Sequence, residues 1–350
     1  MTAHQQPALG PAVGRPAGTA RMSGEHRPGL AGRLDAFQQR HPAAAFPLAV
    51  AYKYFDDFGP YLAALLTYYA FVSIFPLLLL LSTILGYALE GDPQLQHDIL
   101  RSALGQFPVI GDQLHDPRRL GGGAAGLTIG IVGALYGSLG VAQAIQYAMN
   151  TAWSVPRNNR PNPFRARGRS LLLVGMGGVA LIGTTAMSAV GTADVGRFGG
   201  VLRVCALVLA VLVNALVFVL AFRLATARRL TVHDVLPGAL VAAVAWQLLQ
   251  LFGVPYVTSV IRHASATNGV FALVLGVLAF LYLASVAAVL SVEINVVRTD
   301  QLYPRALLTP FTDNVRLTRS DRRAYRKQAQ AQRAKGFQQI DVRFDERPDA

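Results

Sequence analysis

The sequence predicts an all-α polytopic membrane protein, a helical bundle of six transmembrane helices with both termini in the cytoplasm. Three observations carry this prediction. Of 350 residues, 53% are hydrophobic and only 15% charged, against about 25% charged in a soluble domain. Six windows free of Asp, Glu, Lys and Arg approach or exceed the roughly 20 residues that cross a bilayer. Basic residues alternate between rich and poor loops, as the positive-inside rule requires. A mean hydropathy of +0.37 argues against a soluble enzyme and a disordered chain. The apolar runs are continuous rather than alternating, which excludes a β-barrel.

Residues 1–45, rich in Pro, Gly, Ala and Gln, read as a disordered cytoplasmic N-terminus. They carry no signal-peptide core. The stretch Phe46–Phe58, with Tyr52, Lys53, Tyr54, Asp56 and Asp57, suits a short amphipathic helix at the interface. The charge-free windows are Phe58–Leu89, Leu120–Pro156, Ser170–Ala193, Val204–Phe222, Val235–Ile261 and His263–Val292. They place helix cores near 62–89, 124–148, 171–193, 201–223, 236–260 and 269–296, inside a membrane domain over 46–300. Segment 90–122 holds 3 basic and 5 acidic residues, whereas segment 152–170 holds 5 basic and none acidic. The first therefore lies outside the cell, as a loop with an amphipathic helix, and the second inside. The final segment, 301–350, reads as a basic cytoplasmic tail. Its part Arg316–Lys335 reads as a solvated tail or a polar helix on an anionic leaflet.

Polar groups inside the spans are the functional candidates. Glu293 is the only acid in any helix core, and an intramembrane ionisable residue is costly enough to imply a role. It reads either as a proton or head-group site or as a structural partner of nearby Arg298. Asn295, Asn150, Tyr282, Gln247, Tyr69 and Ser73 complete a candidate cavity site. Pro76 breaks the hydrogen-bond ladder of the first helix, with Ser73 one turn earlier to satisfy the freed carbonyl. It reads as a hinge or a static kink. Gly126, Gly130, Gly133, Gly137 and Gly140 recur at spacings of 4, 3, 4 and 3. That puts them on one helix face, where small residues admit a neighbouring backbone or leave room for a ligand.

Other chemistry is missing. The seven histidines form no HxH or HExxH pair, and Cys205 is alone. No catalytic residues, metal or cofactor are expected. The net charge of +13 suits anionic lipid at the basic loops. No specific nucleic acid is expected, and protein partners stay open.

Three segments resemble one family. They are Tyr69-Ala70-Phe71-Val72-Ser73-Ile74-Phe75-Pro76-Leu77-Leu78, then Ala148-Met149-Asn150-Thr151-Ala152-Trp153, and the run from Asn268-Gly269 through Tyr282 to Glu293-Ile294-Asn295. In order and spacing they are similar to the YihY/BrkB family of bacterial inner-membrane proteins, some once labelled ribonuclease BN. Ser291-Val292 and Phe280 depart from the family pattern. The resemblance implies six helices with cytoplasmic ends, in a multi-pass protein of the bacterial cytoplasmic membrane. It implies little chemistry beyond a transporter or an envelope factor. The intramembrane polar set and the lone acid predict a transporter or lipid-handling protein of unstated substrate, or alternatively a membrane scaffold or envelope-assembly factor. A ribonuclease role conflicts with the missing His/Asp ligand cluster.

Overall fold

The fold comes from a computed structural model that describes residues 30–88, 123–191, 199–253, 255, 269–312 and 315–345. Among these residues every regular element is helical. The helices are α1 (Leu30–Arg40), α2 (Pro42–Asp56), α3 (Gly59–Ala88), α4 (Gly123–Ala152), α5 (Pro163–Gly191), α6 (Gly199–Ala225), α7 (Val232–Leu248), α8 (Gly269–Thr299) and α9 (Arg319–Ala331). One π turn, Leu249–Gly253, continues α7.

The expected count of six spans is corrected. Among the described residues, three helical stretches are long and apolar enough to cross a membrane: Leu207–Ala225 in α6, Val232–Gly253 in α7 and its π turn, and Phe271–Thr299 in α8. The apolar stretch Gly59–Ile74 of α3 is shorter than a span. A charge-free window measures the absence of ionised groups, not apolarity. The first three windows run over stretches of α3, α4 and α5 whose side chains lie outside the described residues. Residues 1–29, 89–122 and 346–350 lie outside the described residues, and with them both chain ends and the expected external loop.

The spanning helices have the surface of lipid-facing elements. Leu212 and Leu216 on α6, Leu240 and Leu248 on α7, and Leu275 and Leu283 on α8 are all exposed. An apolar surface of that extent belongs against hydrocarbon rather than water.

One end of the bundle holds the main core. Val50 of α2, Met149 and Trp153 at the end of α4, Phe222 of α6, Val235 of α7, Val296 of α8 and Ala324 of α9 pack there as one cluster. Small residues bring the backbones close. A Cβ at Gly137 would lie 2.6 Å from the Ser73 Cα, and one at Gly140 would enter the Tyr69 ring. Thus α4 seats directly on α3. Gln146 adds a polar tie to α5, donating to Ser170 Oγ at 2.9 Å and to the Ala166 carbonyl at 3.0 Å.

The chain beyond α8 turns back onto this end. Arg305 is fully buried; its Nε donates to Asp321 at 2.7 Å and its Nη1 to Asp56 at 2.6 Å. Its guanidinium also lies over the rings of Tyr52 and Tyr325. Burial works to lower the Arg305 pKa, but Asp56 and Asp321 outweigh it and raise it. Asp321 meanwhile closes a capping box with Thr318 at the start of α9. Asp35 of α1 accepts from the Leu307 N–H at 2.8 Å, and Gln328 of α9 donates to the Asp56 carbonyl at 2.7 Å. Residues 30–45, expected disordered, are therefore largely helical. The start of the expected tail is a folded cap tied to them. The reason is pairing across more than 240 residues, which local composition does not display.

Candidate functional site

Glu293 lies within the α8 span and is 0% exposed. Its neighbour is Lys53 of α2, with Nζ 3.6 Å from Oε2. Neither Glu293 oxygen makes a hydrogen bond among the described residues. Lys53 and Asp57 are each 4% exposed and form a close ion pair. Lys53 also donates to the Ala152 carbonyl at 3.0 Å, at the last residue of α4. One ammonium thus gathers α2, the end of α4 and α8.

The local sequence explains how Lys53 arrives there. Lys53 and Asp57 stand at i and i+4, hence on one helix face. Phe58 takes a left-handed φ of 57° and turns the chain into α3. Gly59 follows because a Cβ would enter the Tyr54 ring. Burial drives the Asp57 carboxyl above its usual range, more strongly than Lys53 draws it down. Burial also acts to lower Lys53, yet the charges of Glu293 and Asp57 prevail and raise it. Three buried ionisable groups therefore carry one formal positive and two formal negative charges.

The other candidates do not join this site. Asn295 is fully buried, but its Oδ1 accepts from the Gly238 N–H at 2.7 Å and its Nδ2 donates to the Val235 carbonyl at 3.1 Å. It clamps α8 to α7. Helical rotation of about 100° per residue puts Asn295 about 200° from Glu293, on the opposite side of α8. Arg298 is the other clamp. Pro237 lacks the N–H that would bond the His233 carbonyl, and Arg298 donates to that oxygen at 3.0 Å. Arg298 is thus not the partner of Glu293.

Asn150 is buried, with Oδ1 accepting from the Ala227 N–H at 2.8 Å; it fixes the α6–α7 loop to α4. Tyr282 is 37% exposed and stands about 16 Å along α8 from Glu293 by helix rise. Gln247 is half-buried on α7. Tyr69 packs on Gly140. Ser73 donates to the Ala70 carbonyl at 2.8 Å, not to the Val72 carbonyl that Pro76 would free. Position 76 falls within α3, but its side chain lies outside the described residues, as does the packing around Gly126 and Gly130. Gly133 is half-buried on α4.

The comparisons with known proteins bear on this geometry. A family model described as Virulence factor BrkB matches residues 50–313 of the 350. The chain belongs to the BrkB family. No curated protein and no solved structure matches it. The BrkB match takes in Lys53, Asp57, Glu293 and Arg305 and stops before α9. Together with the long apolar helices it makes this a membrane-associated bacterial protein.

Sequence reasoning singled out Glu293 but missed its partners. From their mixture of aromatic and charged neighbours, Lys53 and Asp57 read as part of an interfacial helix. One signal was present: Lys53 is the only lysine before Lys327 in an Arg-rich chain. It also sits in the largely apolar helix PAAAFPLAVAYKYFD.

Proposed function

We propose that this BrkB-family protein handles a transported solute or lipid in the bacterial membrane, with Glu293 as the group that takes up a proton or a polar head group. The supporting observation is the charge count around Glu293. Two carboxylates share one ammonium, all three buried, and neither Glu293 oxygen has a hydrogen bond among the described residues. A surplus buried charge is costly. A bound proton or cation removes that cost, so the trio is suited to exchange one. Lys53 links the trio to α2 and α4, so a change of charge there acts on three helices.

The experiment is flux or lipid exchange by purified protein in liposomes of bacterial lipid, wild type beside Glu293→Gln. The expected result is activity in wild type that the variant loses or uncouples from the pH gradient. Equal activity for every active substrate removes Glu293 from the mechanism.

A second reading, a membrane scaffold or envelope-assembly factor, draws support from a different observation. Gly137 and Gly140 are closed against Ser73 and Tyr69, leaving no room for a ligand on that part of the α3–α4 face. No flux with any substrate, together with a stable protein partner captured from native membranes, favours this reading.

A further inference from the structure

We propose that the groove between α5, α6 and the loop after α6 is a binding site for a phosphate-bearing anionic phospholipid. The inference is independent of Glu293. The groove has a volume of about 550 Å³ and is lined by Arg169 of α5, Arg223 of α6 and Arg228 and Arg229 of the loop, with no acidic residue. Arg228 is engaged elsewhere, paired with Asp300 at 3.3 Å and stacked over Trp153. Arg169, Arg223 and Arg229 have no ion pair among the described residues. Arg223 spends only its Nε, on the Leu230 carbonyl at 3.0 Å. The Nη1 of Arg169 is buried and makes no hydrogen bond among the described residues. A buried guanidinium N–H without an acceptor is an unmet demand for an anion, and arginine's planar fork matches phosphate.

The apolar half of the lining selects a lipid over a free phosphate. Met176, Leu220 and Leu224 also line the groove, with Met176 and Leu220 on the membrane side of Arg169 and Arg223. Met176 lies seven residues beyond Arg169, about 10 Å along α5, and Leu220 lies one turn inside Arg223. Arg223 stands near the end of the Leu207–Ala225 span, the depth at which lipid phosphates lie. The arginines therefore meet the head group and the apolar side chains meet the first part of an acyl chain.

The test is native mass spectrometry of the full chain in detergent. It is titrated with phosphatidylglycerol or with phosphatidylcholine of the same acyl chains, each with and without excess inorganic phosphate. The expected result is one retained phosphatidylglycerol, bound about tenfold tighter than phosphatidylcholine, which offers the same phosphate but brings a choline cation that the arginines repel. That preference is lost in Arg169→Gln and kept in Arg165→Gln/Arg167→Gln, whose side chains are exposed outside the groove. If Arg169→Gln does not fold, Arg229→Gln on the exposed loop replaces it, with the same loss expected. Equal loss in the Arg165/Arg167 variant overturns the site in favour of general surface attraction. Displacement by inorganic phosphate overturns the lipid in favour of a free anion. Absence of any preference overturns both.

Discussion

Lys53 Nζ stands 3.6 Å from Glu293 Oε2 and so joins α2, beside the membrane bundle, to the interior of α8. The same ammonium holds Asp57 and the Ala152 carbonyl. Lys53 is therefore the more exposed to loss of the two. Removing it strands two carboxylates, whereas removing the Glu293 charge leaves a balanced pair. Lys53→Met is expected to cost about 3–5 kcal/mol, the usual result of orphaning a buried charge. Glu293→Gln is expected to leave stability equal or raised, and the double variant to recover part of the Lys53→Met loss. A double-mutant cycle of thermal unfolding in detergent reads all three. Equal, additive losses would refute the coupling.

The pH dependence of that contribution follows from Lys53. Its folded pKa is raised above the ordinary 10.5, because Glu293 and Asp57 outweigh burial. A raised lysine binds its proton more tightly in the folded state. The stabilisation is thus complete below about pH 10.5 and is lost as pH rises through the folded value. The gap in unfolding temperature between wild type and Lys53→Met should shrink as pH rises above about 10.5, where Lys53 gives up its proton. A gap that goes on growing above about pH 10.5 would contradict the pairing.

Gly137 makes a prediction about helix approach. A Cβ there falls 2.6 Å from the Ser73 Cα, and backbone cannot swing aside. Gly137→Ala is expected to destabilise by about 1–3 kcal/mol through overpacking. Gly175→Ala, where a Cβ meets nothing within 4 Å, should be neutral or slightly stabilising through helix propensity. Unfolding in detergent separates the two.

Arg305 governs the folded cap. It is buried between Asp56 and Asp321, so Arg305→Met leaves two carboxylates without their cation. The expected outcome is release of α9, seen as rapid proteolysis after Lys327 with the membrane helices intact. Resistance equal to wild type would show that the cap is held by Leu302, Ala306 and Ala324 packing instead.

Part of this arrangement was legible in the sequence. The charge-free windows located α6, α7 and α8 because those runs are rich in Leu, Val and Ala as well as uncharged. The windows over α3, α4 and α5 run onto side chains outside the described residues and add no span among the described ones. Glu293 stood out as a lone acid, but Lys53 lies 240 residues away on a helix whose charges resembled an interface. Grouping Asn295 with Glu293 was avoidable, since two residues on a helix point about 200° apart. The cap left no local trace, because Asp35, Arg305 and Asp321 sit in segments whose composition reads as solvated and Asp56 ends a helix that reads as interfacial.

The most direct measurement of the central claim is the carboxyl stretch of the protein in lipid, by infrared difference spectroscopy across a pH titration. The account predicts a protonated-carboxyl band that titrates in wild type, disappears in Glu293→Gln and shifts in Lys53→Met, where the neighbouring charge is gone. A titration spectrum identical in wild type and Glu293→Gln would contradict it and leave Glu293 as a fixed structural charge.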